Sequence, residues 1–169
     1  PAHLKPILRA LVLSGVEGLN VTVPLKEAIL PLLDAVDPIA KAIGAVNTVV
    51  VRNRRTTGYN TDITGFRRAL VEETGFDPRG KRILIVGAGG AAKAVACGLL
   101  RLEPAGIEIV DRINAKAEQL AKLLSLAARA GVGRSPRYCA AIPWRRRMPN
   151  VLEGVDLLVN ATPIGMKPA

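Results

Sequence analysis

The chain is poor in aromatic residues, with two Phe, two Tyr and one Trp among 169 residues. So few rings leave little on which exposed nucleic-acid bases could stack. They also require a core built from Ala, Val, Leu and Ile. Histidine is nearly absent: its one copy, His3, lies at the very start. That argues against a Ser-His-Asp site or a histidine-based metal site, and no metal is expected. Cysteine is as scarce. Cys97 and Cys139 form neither a metal-type nor a redox-type pair, and two isolated thiols suit a reducing cytosol. Long apolar runs are missing too. The uncharged stretch 83–92 is too short to span a bilayer, and there is no signal-peptide pattern. The expectation is a cytoplasmic protein with neither membrane nor nucleic-acid partners.

Acids are outnumbered, 14 against 24 Lys and Arg, for a formal net charge of +10. The cations are scattered except for short clusters such as Arg145, Arg146 and Arg147. This reads as a solvated basic surface rather than a nucleic-acid track. Aliphatic residues dominate the 49% hydrophobic fraction. Such a composition suits helices laid on a parallel sheet, whose buried strands read as aliphatic runs.

Residues 4–14 carry Leu4, Ile7, Leu8, Leu11 and Val12 at helical spacing. A short strand is expected at "NVTV" (20–23), helical stretches at 25–33 and 38–43, and a strand at "AVNTVVV" (45–51). "RNRRTTG" (52–58) reads as a polar turn, and Asp62 as the N-cap of a helix reaching about Glu73. Gly, Asp and Pro then cluster at 74–81, marking a boundary. Beyond it strand and helix alternate: "RILIV", a helix at 90–102, "GIEIV", a helix at 114–129, "RYCAAI" and "VDLLVN". That order predicts a parallel, doubly wound α/β sheet of Rossmann-like type. The expected division is 1–78 and 79–169, each part an incomplete α/β domain.

Two motifs carry chemistry. "ILIVGAGGAAKAVA" sets Gly87, Gly89 and Ala92 in the G-x-G-x-x-G/A pattern between strand and helix. The first glycine permits the tight turn, and the second lets backbone approach a pyrophosphate. The small third residue packs the helix on the sheet. The expected dinucleotide loop is Gly87, Ala88, Gly89, Gly90 and Ala91. A second strand ends in an acid, Asp111, placed to accept from ribose hydroxyls and repel a 2′-phosphate. Arg112 and Lys116 beside it act in the opposite sense. The cofactor expected is NAD(P), with NAD favoured. Lys93 is followed by Ala94, and the spacing excludes a Walker-type loop.

The other motif is "NVTVPLK" (20–26). Pro24 suits the first turn of a helix. Lys26 would then sit at the positive end of the helix dipole, a place that favours the neutral amine. Hydride exchange between an alcohol and a nicotinamide also moves a proton, so a base is needed near the hydroxyl. Lys26 is the candidate for that transfer, with Asp62 orienting it. Asn20, Thr22, Asn47, Thr48, Asn60 and Thr61 add neutral donors and acceptors that suit a polyhydroxylated ring.

"NVTVPLKEA", "IGAVNTVV", "GYNTDITGF", "GKRILIVGAGGAAKAV" and "NATPIGM" occur in that order. The chain resembles the shikimate dehydrogenase family. The resemblance implies two α/β domains, a substrate domain and a dinucleotide-binding domain. It also implies reversible reduction of 3-dehydroshikimate to shikimate on the route to chorismate. It makes Lys26 and Asp62 the catalytic pair and Asn20, Thr22, Lys26, Asn47 and Asp62 the substrate contacts. Thr162 and Met166 would flank the nicotinamide. Asp111 stands where the family usually has asparagine, which brings NAD-preferring quinate/shikimate dehydrogenases into view. A non-catalytic ligand-sensing module of the same fold is the rival of another class, and a homodimer is among the expected partners. The chain starts after the family's first strand and stops before its last helix, so a fragment lacking both ends is expected.

Overall fold

The computed structural model describes residues 3–129, 136–144 and 151–165. The chain divides into two compact units, 1–62 and 63–169. The division falls ahead of the Gly- and Pro-containing segment 74–81.

In the first unit the amphipathic residues 4–13 form α1 (Leu4–Leu13), which buries Leu8. Strands β1 (Gly18–Asn20), β2 (Ala35–Val36), β3 (Thr48–Arg52) and β4 (Arg55–Tyr59) make one mixed sheet in the order β1-β3-β4-β2. Alternation along β3 turns Val49 and Val51 into a core with Leu8, Ile29 and Ala40. Helix α2 (Pro38–Ile43) starts on Asp37, whose carboxylate accepts from the N–H groups of Ile39 and Ala40. It ends at Gly44 in the left-handed region.

Three local expectations give way here. The strand at "NVTV" stops at Asn20. The helix expected over 25–33 is a series of turns closing in a 3-10 turn, Leu30–Leu32. The segment read as a polar turn is mostly strand β4: only Asn53 and Arg54 turn, both at positive φ (50° and 59°), with Arg52 opposite Arg55. Two left-handed residues in a two-residue loop match the right-handed twist of a hairpin. β4 was masked because its inward residues are Thr56 and Gly58 rather than aliphatic ones. Gly58 is needed there, since a Cβ would lie 2.5 Å from Leu33 Cδ1 and 2.8 Å from Val46 Cγ2.

The second unit follows its sequence pattern closely. β5 (Arg82–Val86), β6 (Gly106–Val110), β7 (Tyr138–Ile142) and β8 (Leu157–Asn160) form a sheet ordered β7-β6-β5-β8, with every pair parallel. Ile83, Leu84 and Ile85 are fully buried, as strands covered on both faces require. α3 (Asp62–Arg68) continues into a π-turn (Ala69–Glu73), and α4 (Gly90–Leu100) and α5 (Asn114–Arg129) link the strands. The α/β class and the parallel sheet are as expected. Among the described residues no helix is long and apolar enough to cross a membrane.

Candidate active site

Lys26 is positioned by its backbone, and not by a helix. Its carbonyl accepts from Val46 N–H at 2.8 Å, while Leu30 N–H turns to Glu27 instead. An α-helix would need Lys26 and Leu30 to bond each other. Tertiary pairing with the segment before β3 therefore replaces the expected helix, and no helix dipole acts on the amine. The Val23–Pro24 peptide just ahead is cis.

Asp62 arrives from the end of β4. Asn60, one of two buried polar residues among those described, clamps the junction. Its Nδ2 donates to Ala45 O (2.9 Å) and its Oδ1 accepts from Asp62 N–H (3.1 Å). The capping task expected of Asp62 thus falls to Asn60, and Asp62 itself is the first residue of α3. Its carboxylate is left to reach across the unit.

It reaches Lys26. Lys26 Nζ and Asp62 Oδ2 stand 2.5 Å apart. The lysine side chain is 15% exposed and the aspartate 37%, so the amine is largely enclosed while the carboxylate opens to solvent. Asp62 Oδ1 accepts from Asn47 Nδ2 at 2.7 Å. Asn47 in turn is bonded to Thr61 and Thr48. Asn20 lies opposite Thr48 in the sheet register, and Asn20 and Thr22 are exposed on either side of buried Val21. Val21 N–H donates to Asn47 O at 2.7 Å, which ties this segment to the network. Of the first-unit residues named from sequence, Lys26, Asn47 and Asp62 are joined by side-chain bonds, while Asn20 and Thr22 lie on the segment whose backbone pairs with Asn47 and Thr48. Asn60 and Thr61, known from sequence only as members of a polar cluster, prove to be the clamps.

In the second unit the glycine loop has the geometry its pattern implies. Gly87 has φ +107°, and a Cβ there would meet Ala161 O at 3.0 Å. Only glycine suits that place. At Gly89 a Cβ would meet nothing within 4 Å, so the backbone borders open space at the N-terminus of α4. Gly90 opens that helix, Ala91 is exposed, and Ala92 is fully buried against the sheet. Free N–H groups beside open space suit a pyrophosphate.

Asp111 follows β6 directly, and its carboxylate grips backbone. Oδ2 accepts from Ala88 N–H in the glycine loop (2.9 Å) and Oδ1 from Ile113 N–H (2.8 Å). Each oxygen keeps a second acceptor position for a ribose hydroxyl. Arg112 and Lys116 are exposed nearby in sequence. Thr162 lies beside Gly87, its Cγ2 3.1 Å from where a Cβ would stand. Its N–H and hydroxyl both donate to Asn160 Oδ1, at 3.0 and 2.6 Å. Met166 lies outside the described residues. Burial pushes the thiols of Cys97 and Cys139 up to about 11, which removes both as neutral-pH nucleophiles.

Residues 1–49 match the family model for the shikimate dehydrogenase substrate binding domain. The chain is 46% identical to the shikimate dehydrogenase (NADP(+)) of Moorella thermoacetica, covering 99% of this chain and 55% of that protein. It is 42% identical to that of Desulforamulus reducens, covering 99% and 56%. A solved shikimate dehydrogenase in complex with NADP+ superposes with a TM-score of 0.84 at 40% identity, over 99% of this chain and 55% of the other. Quinate dehydrogenase from Corynebacterium glutamicum in complex with NAD gives 0.82 at 35% identity, over 98% and 57%. The resemblance to the shikimate dehydrogenase family runs through the whole chain, which spans about half the length of the curated relatives it matches.

Proposed function

We propose that the protein is a shikimate dehydrogenase, an NAD(P)-dependent oxidoreductase interconverting 3-dehydroshikimate and shikimate in the route to chorismate and the aromatic amino acids. The observation that carries this reading is the Lys26–Asp62 pair at 2.5 Å. It joins two of the five motifs shared with the family.

Reduction of the ketone adds a hydride to carbon and a proton to oxygen. A bound nicotinamide supplies the hydride. Lys26 gives the proton from Nζ to the carbonyl oxygen, and in the oxidation it takes the hydroxyl proton back. Asp62 holds that amine through Oδ2 and carries the compensating negative charge. Asn20, Thr22 and Asn47 would serve as neutral partners for ring hydroxyls. Gly87, Ala88, Gly89, Gly90 and Ala91 would hold the pyrophosphate at the start of α4. Asp111, Arg112 and Lys116 would meet the adenosine end, and Thr162 and Met166 the nicotinamide end. Residues 1–78 then serve the substrate and 79–169 the dinucleotide, in a cytoplasmic enzyme that forms a homodimer.

A second reading is a quinate/shikimate dehydrogenase using mainly NAD. Asp111 favours it, because a carboxylate at this strand end repels a 2′-phosphate. A non-catalytic sensor of the same fold is disfavoured, since a sensor has no use for an assembled proton-transfer pair. The deciding experiment is a rate assay of the full-length protein with shikimate and quinate, each against NAD and NADP. Shikimate oxidation is expected with at least one cofactor. No turnover with any of the four combinations would sink the enzymatic reading.

A further inference from the structure

We infer that Trp144 is the stacking residue for the adenine ring of the dinucleotide, with Ile113 adding apolar surface beside it. The inference rests on the second unit as a dinucleotide site.

Strand register fixes which end of the cofactor lies where. Val86, Val110 and Ile142 share one rung at the carboxyl ends of β5, β6 and β7. Gly87, Asp111 and Pro143 each follow that rung directly. Ligands of open parallel sheets bind outside the carboxyl ends of the strands, where the strand order reverses. Here the chain runs from β5 to β6 and β7 on one side and returns to β8 on the other. With the pyrophosphate at the glycine loop and ribose hydroxyls on Asp111, the adenosine half extends away from β8 and toward β7. The base therefore falls over the residues that follow β6 and β7.

Ile113 and Trp144 are exposed there, at 47% and 44%. Trp144 is the single tryptophan among 169 residues. A surface indole leaves a large apolar area in water, so a ring that covers it gains by burial as well as by stacking. Its backbone is braced from both directions. Ile142 packs against the cluster of Leu84 and Val110, and Pro143 fixes φ at the next step. Trp144 N–H then donates to Asn114 Oδ1 at 3.1 Å. Asn114 opens α5 and follows Ile113, whose N–H bonds the same Asp111 carboxylate that holds Ala88 in the glycine loop. Glycine loop, acid and tryptophan are thus tied into one frame. An indole offers its π-face to a purine and makes no demand at the 2′ position. Trp144 therefore serves NAD and NADP alike, and the choice between them is left to Asp111.

ADP-ribose tests this, since it carries the adenine and the pyrophosphate without the nicotinamide. Added to the full-length protein, it should quench tryptophan emission, and the quench should vanish in Trp144→Phe. By titration calorimetry, Trp144→Ala should weaken NAD, NADP and ADP-ribose by a common factor of about 5- to 100-fold, the worth of one stacked base. Trp144→Phe should keep most of the affinity, which loss of a merely structural indole would not explain. Wild-type affinity in Trp144→Ala overturns the inference, as does a quench that persists in Trp144→Phe. If Trp144→Ala does not fold by thermal unfolding, the emission decides: wild-type emission left unchanged by ADP-ribose overturns it. Wild-type protein that binds neither NAD nor NADP would instead remove the dinucleotide reading and this inference with it.

Discussion

Lys26 Nζ and Asp62 Oδ2 meet at 2.5 Å although 36 positions separate them in the chain. Lys26 lies in a series of turns and Asp62 is the first residue of α3, so no regular element joins the two. One is held by a single backbone bond to Val46, the other by the Asn60 clamp on Ala45. Both anchors lie in the two residues ahead of Asn47, so one short segment sets the geometry of the pair. That segment is the frame on which the proposed chemistry depends.

Lys26→Ala should therefore remove turnover and spare affinity. General acid–base catalysis is worth about 100- to 10,000-fold, and kcat for shikimate oxidation should fall by that order with a modest change in KM. Lys26→Arg should not restore it, because a guanidinium keeps its proton. Unchanged turnover in Lys26→Ala, measured in steady state, would move the proton transfer elsewhere.

The second unit was legible from sequence because its signals are local. "RILIV" is a run of aliphatic residues, and Gly87 and Gly89 follow it at a spacing that a tight turn and a close approach require. The first unit was harder for a physical reason. The carbonyl of Lys26 finds its partner at Val46, which no window along 20–33 can reveal, and the expected helix dissolves into turns. Asp62 reads as the cap of α3 from sequence, and only the bonds of Asn60, to Ala45 O and from Asp62 N–H, pass that task to Asn60. β4 was hidden because Thr56 buries its hydroxyl against Asp34, a residue far away in sequence. The pairing of Lys26 with Asp62 was foreseen as a hypothesis about proton transfer and from the family motifs. Its support by Asn47 was not, because an amide's orientation depends on donors that only the folded chain assembles.

Two glycines of the same loop should respond differently to alanine. Gly87→Ala strains a left-handed residue and presses on Ala161 O, and should cost about 1–3 kcal/mol of stability. Gly89 has φ −81° and open space where a Cβ would stand, so Gly89→Ala should leave the unfolding midpoint unchanged. It should nonetheless weaken dinucleotide binding about tenfold or more, if a phosphate draws on the N–H groups there. Calorimetric unfolding and a binding titration separate the two effects. Equal stability losses at both positions would contradict the geometry.

Asp111 holds the glycine loop, and in the proposed function the same carboxylate would read the ribose. Asp111→Ala deprives Ala88 N–H and Ile113 N–H of their acceptor and should weaken NAD and NADP alike. Asp111→Asn keeps the shape, removes the charge and gives up one of the two acceptors, since its NH2 cannot take a backbone N–H; the ratio between the two cofactors cancels that loss, which they share. It should raise the NADP to NAD ratio of kcat/KM by about tenfold, as expected when a repulsion near the 2′-phosphate is lifted. An unchanged ratio would mean that the charge at this position plays no part in choosing the cofactor.

The cysteines offer a check on packing. With thiols raised to about 11 by burial, only roughly a thousandth of either is thiolate at pH 8. Iodoacetamide should leave both untouched in the native protein and label both quickly in denaturant. Cys97, 3% exposed, should resist longer than the half-buried Cys139 as the pH is raised. Rapid native labelling of Cys97 at pH 8 would show that α4 is not packed as described.

Asp34 predicts a dependence of stability on pH. Its Oδ2 accepts from Thr56 N–H (2.7 Å) and from the Thr56 hydroxyl (2.8 Å), pinning the start of β2 to β4. These bonds, the backbone one first, hold its carboxyl below the ordinary 3.8. A carboxyl lowered on folding contributes stability that is present above its unfolded value and is lost as pH falls through the folded one. Asp34→Asn should therefore unfold at a lower temperature than the wild type at neutral pH. The gap should close in acid, once both proteins carry a neutral side chain at this position. Thermal unfolding from pH 7 down to pH about 2.5 tests it. A gap that stays constant across that range would assign the loss to altered shape, and the charge on Asp34 would then contribute nothing to holding β2 in place.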